Sequence, residues 1–295
     1  MVFPVRRCYT GPLRTGSLVL GARCLVMGIL NVTPDSFAEA SPKLDPDAAI
    51  AAGLQMEADG ADIIDVGGES TRPGADAVSA DEELARIRPV LRALGGRLRV
   101  PLSVDTYKAV VARVALDEGA TIVNDISGLA HDPALADVVA DAGAAIVLMH
   151  TRGRSKSMRD RATYDDLLGE VTAELRHSMD AATSAGISAD RIIIDPGIGF
   201  AKLPGHSYGV LAGLPDLSAS LGRPLLVGPS RKSFLSAALG PRPAAARDWG
   251  TAAAVAAAVL GGAHIVRVHA VAEMAQVVRV ADNIRKYQPG GQPWA

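Results

Sequence analysis

The stretch Ala61-Asp-Ile-Ile-Asp-Val-Gly-Gly-Glu-Ser-Thr-Arg-Pro-Gly74 changes character halfway along its length. Residues 61–66 read as a buried strand, which empties into glycines and then into polar residues that no core needs. Glycine lets a backbone approach a ligand. Thr71 and Arg72 supply hydrogen-bond donors, and Pro73 stiffens the turn so that those donors are ordered before anything binds. Taken alone, the segment is equally a surface connection with one stray arginine. Its meaning depends on how the other strands of the chain end.

Eight apolar runs read as strands: 24–30, 62–66, 100–105, 121–125, 144–149, 191–195, 224–228 and 264–268. Helical patterns separate them, which predicts repeated βα units and a parallel sheet. Eight such units close an α/β fold of the (β/α)8 TIM barrel type. The helices have legible ends. Asp45-Pro46 gives an N-cap followed by proline, and Gly60 is the stop. Ser79 with Glu82 forms a capping box opening a helix to about Leu94. Helices over 107–118, 133–142 and 164–185 stop at Gly119, Gly143 and Gly186, and two more cover 248–260 and 271–286. Residues 1–23 read as an N-terminal β-hairpin extension, with a turn signal at Gly11-Pro12 and a strand at 17–20, placed to plug one barrel end. No interdomain linker is visible, so residues 24–290 are expected to form a single barrel.

A chain of 295 residues with 48% hydrophobic content can bury a large core. The formal net charge of −2 argues against a broad nucleic-acid-binding face, while leaving room for a local anion site. Cys8 and Cys24 cannot form a disulfide framework, and Cys24 sits in an apolar run where a small buried hydrophobe is expected. No cleavable leader is evident, and no segment approaches the roughly 18 uninterrupted apolar residues of a membrane span. These features predict a cytoplasmic, reducing setting.

Five of the strands end in residues that a core excludes: Asn31 with Asp35, Asp105, Asn124-Asp125, Asp195, and Arg267-Val-His269. In a βα barrel all these ends lie on the C-terminal rim, where active sites are built. Asp105, Asn124 and Asp195 offer acceptors for a ligand with adjacent N–H donors, as on an aminopyrimidinone edge; helix capping and metal binding are the competing roles. Gly228-Pro-Ser-Arg-Lys232, with Ser230 to Lys232 opening a helix, and Arg267 with His269 suit an anion. Arg267 and His269 alternate with apolar residues and should both point into the mouth. Asn31-Val-Thr-Pro-Asp-Ser-Phe37 has oxygens suited to Mg²⁺ held mainly by a diphosphate, and is also an ordinary turn sequence. Phe200 suits either aryl stacking or the core, Met149-His150 either a pocket wall or a strand end, and Lys202 reads as a solvated lysine.

Met27-Gly-Ile-Leu-Asn-Val-Thr-Pro-Asp-Ser-Phe37 and Asp65-Val-Gly-Gly-Glu-Ser-Thr-Arg-Pro-Gly-Ala75 together resemble the two signature segments of the dihydropteroate synthase family. Asp195-Pro-Gly-Ile-Gly-Phe200, Gly228-Pro-Ser-Arg-Lys-Ser-Phe234 and Arg267-Val-His269 resemble its later ones in the same order, over about Ala22 to Ala281. The resemblance implies condensation of 6-hydroxymethyl-7,8-dihydropterin diphosphate with p-aminobenzoate, giving 7,8-dihydropteroate and diphosphate. It implies a pterin slot of Asp105, Asn124, Ile126, Met149, Asp195, Phe200, Lys232 and Arg267. By the same likeness Asn31, Thr71, Arg72, Arg267 and His269 take the diphosphate, with Mg²⁺ as cofactor beside Asn31. Phe37, Thr71, Pro73, Phe200 and Ser230 surround p-aminobenzoate, and Asn31, Arg72, Asp105, Lys232, Arg267 and His269 carry catalysis. It implies a homodimer through the last helices, and sulfonamide sensitivity, since the insertions near Phe200 that mark resistant relatives are missing.

The chain departs from the family at Ala38-Glu39-Ala40-Ser41, where Ser-Asp-Gly-Gly is usual, and at Ala201 and Ser207, where a glycine and an asparagine are usual. A pterin-dependent methyltransferase shares the barrel and slot but has no need of Thr71-Arg72-Pro73. A catalytically silent paralogue is the other alternative, kept open by the altered first loop.

Overall fold

Alternating side-chain direction along each strand gives the barrel two cores, one inside it and one between it and the helices. The computed structural model describes residues 3–14, 16–33, 45–72 and 74–287. A hairpin of β1 (Tyr9–Pro12) and β2 (Ser17–Leu20) comes first. The barrel strands follow as β3 (Leu25–Asn31), β4 (Ile63–Gly67), β5 (Leu102–Asp105), β6 (Ile122–Asp125), β7 (Ala145–Met149), β8 (Ile192–Asp195), β9 (Leu226–Val227) and β10 (Ile265–Val268). All eight lie within about two residues of their expected places. They pair in parallel in the order β8-β7-β6-β5-β4-β3-β10-β9. A bridge between Ile194 and Leu225, with Ile194 N–H donating to Pro224 O at 3.0 Å, brings the last strand back to β8. The fold is therefore a (β/α)8 barrel.

The hairpin turns one residue later than expected: Gly11 and Pro12 belong to β1, and Leu13 N–H closes the turn on Gly16 O. Leu13, Leu18 and Leu20 pack against Leu25, Met27, Ile63, Ile122, Ile193, Leu226 and Ile265, the inward residues at the strand starts. This apolar plug fills the N-terminal end of the barrel.

The helices are α1 (Pro46–Ala58), α2 (Ala80–Gly95), α3 (Ala109–Asp117), α4 (Ala134–Ala142), α5 (Leu167–Ser184), α6 (Pro204–Ala212), α7 (Leu214–Leu221), the short α8 (Ser236–Leu239), α9 (Asp248–Leu260) and α10 (Val271–Lys286). Asp45 caps α1 by accepting from Asp47 and Ala48 N–H. Ser79 Oγ accepts from Glu82 N–H at 3.1 Å, while the Glu82 carboxylate turns to Arg86 instead of completing the box. Helix α5 begins three residues later than expected because Asp166 caps it through Gly169 N–H at 3.1 Å. Helices α6 and α7 were not expected; prolines at their first turns, Pro204 and Pro215, are the signal that finds them. Ser230 to Lys232 does not open a regular helix. Arg231 takes a left-handed φ of 57°, which ends any helical run, and Lys232 leads into a 3-10 turn, Ser233–Leu235.

The turn after β8 is tightly wound, with Gly197 at φ 70°, Gly199 at φ 77° and Ala201 at φ 44°. A Cβ on Gly197 would sit 1.9 Å from His150 O, so only glycine fits there. Ala201 occupies the left-handed region with a Cβ, which costs about 1–2 kcal/mol, while glycine would add about 0.4–1 kcal/mol of unfolded-chain entropy. Ala201→Gly is therefore expected to stabilise the fold by roughly 0.5–1 kcal/mol. An unchanged or lower midpoint in urea unfolding would show that the turn holds no such strain.

Candidate active site

Each barrel strand delivers its last inward residue to the C-terminal mouth. Arg267 on β10 meets two carboxylates there: its Nε donates to Asp65 Oδ2 at 2.6 Å and its Nη2 to Asp105 Oδ2 at 2.7 Å. Asn124 Nδ2 donates to the same Asp65 oxygen at 3.0 Å. Asp105 and Asn124 therefore face the mouth and do not cap the following helices, which begin at Ala109 and Ala134. Asp65 Oδ1 and Asp105 Oδ1 are buried with no hydrogen-bond partner among the described residues. Buried acceptors are normally satisfied, so the Asp105 oxygen calls for a ligand N–H. Burial pushes the Asp105 carboxyl up to about 7; Arg267 opposes the rise and Asp65 adds to it.

Asp195 ends β8 and Lys232 follows β9. Burial raises the Asp195 carboxyl against the pull of Lys232, and burial pushes the Lys232 ammonium down to about 8 against the pull of Asp195. Lys232 Nζ donates to Ile198 O at 2.6 Å and lies 4.5 Å from the centre of the half-buried Phe200 ring. A Cβ on Gly228 would stand 3.7 Å from Lys232 Nζ, 3.7 Å from Arg267 Cβ and 4.0 Å from Asp195 Oδ2. The glycine thus keeps open the space that these three surround. Met149 is buried at the end of β7, and Ile126 is half-buried after β6.

Ser230 Oγ lies 2.9 Å from His269 Nδ1 and accepts His269 N–H at 3.2 Å. Burial pushes His269 down to about 3, reinforced by the charges of Arg231, Arg267 and Arg72, so its imidazole is neutral at pH 7. Arg231 fixes the intervening loop. Its guanidinium forks onto Asp248 with two 2.8 Å bonds, and its N–H donates to Thr251 Oγ1 at 3.0 Å. These bonds hold a left-handed residue between Ser230 and Lys232.

The loop after β4 is anchored at its root. Glu69 accepts from Tyr107 Oη at 3.0 Å and pairs with Lys108, which also pairs with the buried Glu83. Arg86 donates to Gly68 O at 2.7 Å, and Gly74 N–H donates to Ser155 O at 2.9 Å. Thr71 is half-buried and Arg72 exposed between these anchors. Asn31 is half-buried at the end of β3. Phe37 and Pro73 lie outside the described residues, as does the divergent segment 38–41. Among the described residues, no group of three or more His, Cys, Asp or Glu is placed to hold a metal ion.

Two residues of the site were not singled out from the sequence. Asp65 opens the signature segment yet looked like a strand residue; the signal was a carboxylate inside the apolar run 63–66, which a buried strand admits only with a partner. Lys202 is the second. Expected to be solvated, it is 8% exposed and held by His150. The departure at Ser207 is accommodated: its Oγ accepts Gly199 N–H at 3.2 Å and donates to Leu203 O.

The sequence profile of a family described as pterin binding enzyme matches residues 27–269. A dihydropteroate synthase from Synechocystis sp. is 47% identical over 273 residues, covering 92% of this chain and 94% of that protein. Among solved structures, the Xanthomonas albilineans dihydropteroate synthase with 4-aminobenzoic acid superposes with a TM-score of 0.88 at 40% identity, covering 96% of this chain and 100% of that one. The Burkholderia cenocepacia dihydropteroate synthase complexed with 7,8-dihydropteroate gives a TM-score of 0.84 at 40% identity, covering 97% and 98%.

Asp105 carries a prediction about stability. Its folded pKa lies above the unfolded value, so its contribution is fully present below the unfolded carboxylate range and is lost as pH rises through about 7. The urea midpoint of the ligand-free protein is expected to fall across that window, and Asp105→Asn to flatten the fall. A slope identical in the variant assigns the effect elsewhere.

Proposed function

The chain belongs to the pterin-binding enzymes, within them to the dihydropteroate synthases, and from that premise we propose that it condenses 6-hydroxymethyl-7,8-dihydropterin diphosphate with p-aminobenzoate. The observation that carries this reading is the buried Asp195 and Lys232 beside Arg267 around the space that Gly228 leaves open, with Asp105 bonded to the same Arg267 and Asn124 to its partner Asp65. Asp195 accepts adjacent N–H groups of the pterin in parallel, Asp105 accepts a further ring N–H through its unpaired oxygen, and Lys232 donates to the ring carbonyl. Met149 and Ile126 wall the slot. Arg267 is already committed to Asp65 and Asp105, so it offers its remaining Nη1 and its flat face.

In the reaction the C–O bond to diphosphate breaks, the amine nitrogen of p-aminobenzoate bonds to the methylene carbon, and that nitrogen loses one proton. Positive charge that develops on the methylene as the leaving group departs is stabilised by the carboxylates around the ring. Asn31, Thr71, Arg72, Arg267 and the neutral His269 receive the diphosphate, His269 as a hydrogen-bond donor. Asn31 would offer one amide oxygen to Mg²⁺, and an ion held there would supply positive charge to the departing diphosphate. Thr71, Phe200 and Ser230 border the aromatic amine, whose attack rests on positioning rather than on a covalent nucleophile. Sulfonamides, as mimics of that amine, compete for the same place.

A second copy of the chain completes the proposed assembly. Trp249 on α9 is 89% exposed, and Val280 and Ile284 on α10 are 62% and 49% exposed, beside the exposed Ala253 and Ala257. An apolar face of this kind is expected to be covered in solution. None of the described helices is long and apolar enough to cross a membrane. Both cysteines are free thiols, which fits the reducing cytoplasm.

Two measurements test these readings. With both substrates and Mg²⁺, the protein should release diphosphate and dihydropteroate in equal amounts, and a sulfonamide should raise the KM for p-aminobenzoate without changing kcat. Methyl transfer from a methylated pterin, with no diphosphate released, would assign the barrel to the alternative chemistry. Light scattering should give twice the mass of one chain, and Trp249→Glu should give single chains.

A further inference from the structure

Lys202 is a buried amine without a counterion beside it. Its Nζ lies 2.7 Å from His150 Nδ1 and 3.3 Å from Phe200 O, and among the described residues no carboxylate stands within ion-pairing distance. A lysine is rarely buried without some compensating role. His150, on the far side, has its Nε2 3.0 Å from Glu174 Oε2, and Glu174 keeps 41% of its side chain exposed. A carboxylate only accepts, so His150 carries its proton on Nε2, and Nδ1 is left to accept from Lys202. Burial keeps that imidazole neutral, pushing it down to about 4. The chain Lys202–His150–Glu174 therefore leads from a wall of the site to the surface, with each proton placed by its neighbour.

The same contacts hold the turn after β8. His150 N–H donates to Asp195 O at 2.9 Å, Gly197 lies against His150 O, Tyr164 Oη donates to Ala201 O at 2.8 Å, and Lys202 holds Phe200 O. Of the carboxylates around Lys202, Asp195 acts on it most strongly. Lys232 and Arg152 bear on Lys202 with like charge, Glu174 with opposite charge, and the Tyr164 ring centre is 5.9 Å away. Around Asp195 the charges are Lys232, Lys202 and Arg267.

We propose that Lys202 is a positioning residue of the pterin pocket, whose ammonium, seated on His150, fixes the Asp195–Phe200 turn and helps keep Asp195 ionised as an acceptor for the ligand. This rests on the reading of the site as a pterin pocket. Burial pushes Lys202 down to about 7, so the charge is present below that pH and fades above it. Affinity for the pterin fades with it. Glu174 holds the transition up, since its charge favours the protonated amine.

The experiment is calorimetric binding of 6-hydroxymethyl-7,8-dihydropterin to the intact protein from about pH 6 to about pH 9. Wild type should bind and lose affinity over the upper part of this range. Lys202→Met should weaken binding roughly tenfold or more near pH 6, the scale of one charge-assisted hydrogen bond, and should bind with a pH profile different from wild type, keeping only the part that the ligand contacts Asp105 and Lys232 impose. Glu174→Gln, altered only at the partly exposed end, should lose affinity at lower pH than wild type does. Should Lys202→Met fail to fold, the Glu174→Gln shift decides alone. If wild type does not bind this pterin, the pocket reading fails. If wild type binds and the pH dependence is the same in all three proteins, Lys232 or the ligand governs it and the role of Lys202 is overturned.

Discussion

The ion pairs of Arg267 with Asp65 and Asp105 constrain everything else at the barrel mouth. Three strands, β4, β5 and β10, each bring a charged inward residue to one level, where solvent cannot screen them. A buried arginine with two carboxylates is charge-balanced to within one unit, so the group persists only as a set. It leaves Asp105 with one oxygen engaged and one unengaged. An acceptor held in place by its other half is preorganised for a ligand donor.

Around that set the loops are fixed by a few bonds that spend no flexibility on binding. Glu69 and Lys108 tie the root of the loop after β4 to α2 and to the start of α3, and Arg231 with Asp248 pins the loop after β9 to α9. In both cases the residues proposed to face the ligand, Thr71 with Arg72 and Ser230 with Lys232, are carried between these anchors. Such an arrangement lets the contact residues respond to substrate while their positions remain defined.

The barrel was legible in the sequence because local signals and the global fold agree: apolar runs of strand length, glycine at helix ends, and polar residues where the runs stop. The position of Asp105, Asn124, Asp195 and Arg267 at the mouth was legible for the same reason, each breaking the pattern at a strand end, while Lys232 stood out only as part of the Gly228–Lys232 segment. Asp65 was not, because what makes it functional is a partner 202 residues away. Lys202 was missed because a lysine in a glycine-rich turn looks solvated until His150 is brought over it. The left-handed Arg231 gave no warning either, since its conformation is imposed by Asp248 and Thr251, which lie 17 and 20 residues on. Residues whose placement follows from their own strand are readable in the sequence, and those whose placement depends on tertiary neighbours are not.

The hairpin gives the barrel a floor, and a floor has a kinetic meaning. With Leu13, Leu18 and Leu20 packed among the inward residues at the strand starts, the N-terminal end of the barrel is closed by apolar side chains, and the proposed ligands approach from the C-terminal mouth. Whatever enters first descends furthest, and whatever enters second acts as its lid. Under the proposed assignment the pterin must be seated before p-aminobenzoate, because the reverse order would leave the deeper slot sealed. Departure runs the other way, with diphosphate, nearest the rim, leaving before the joined product. A chain segment that touches neither substrate would thus dictate the sequence in which both arrive.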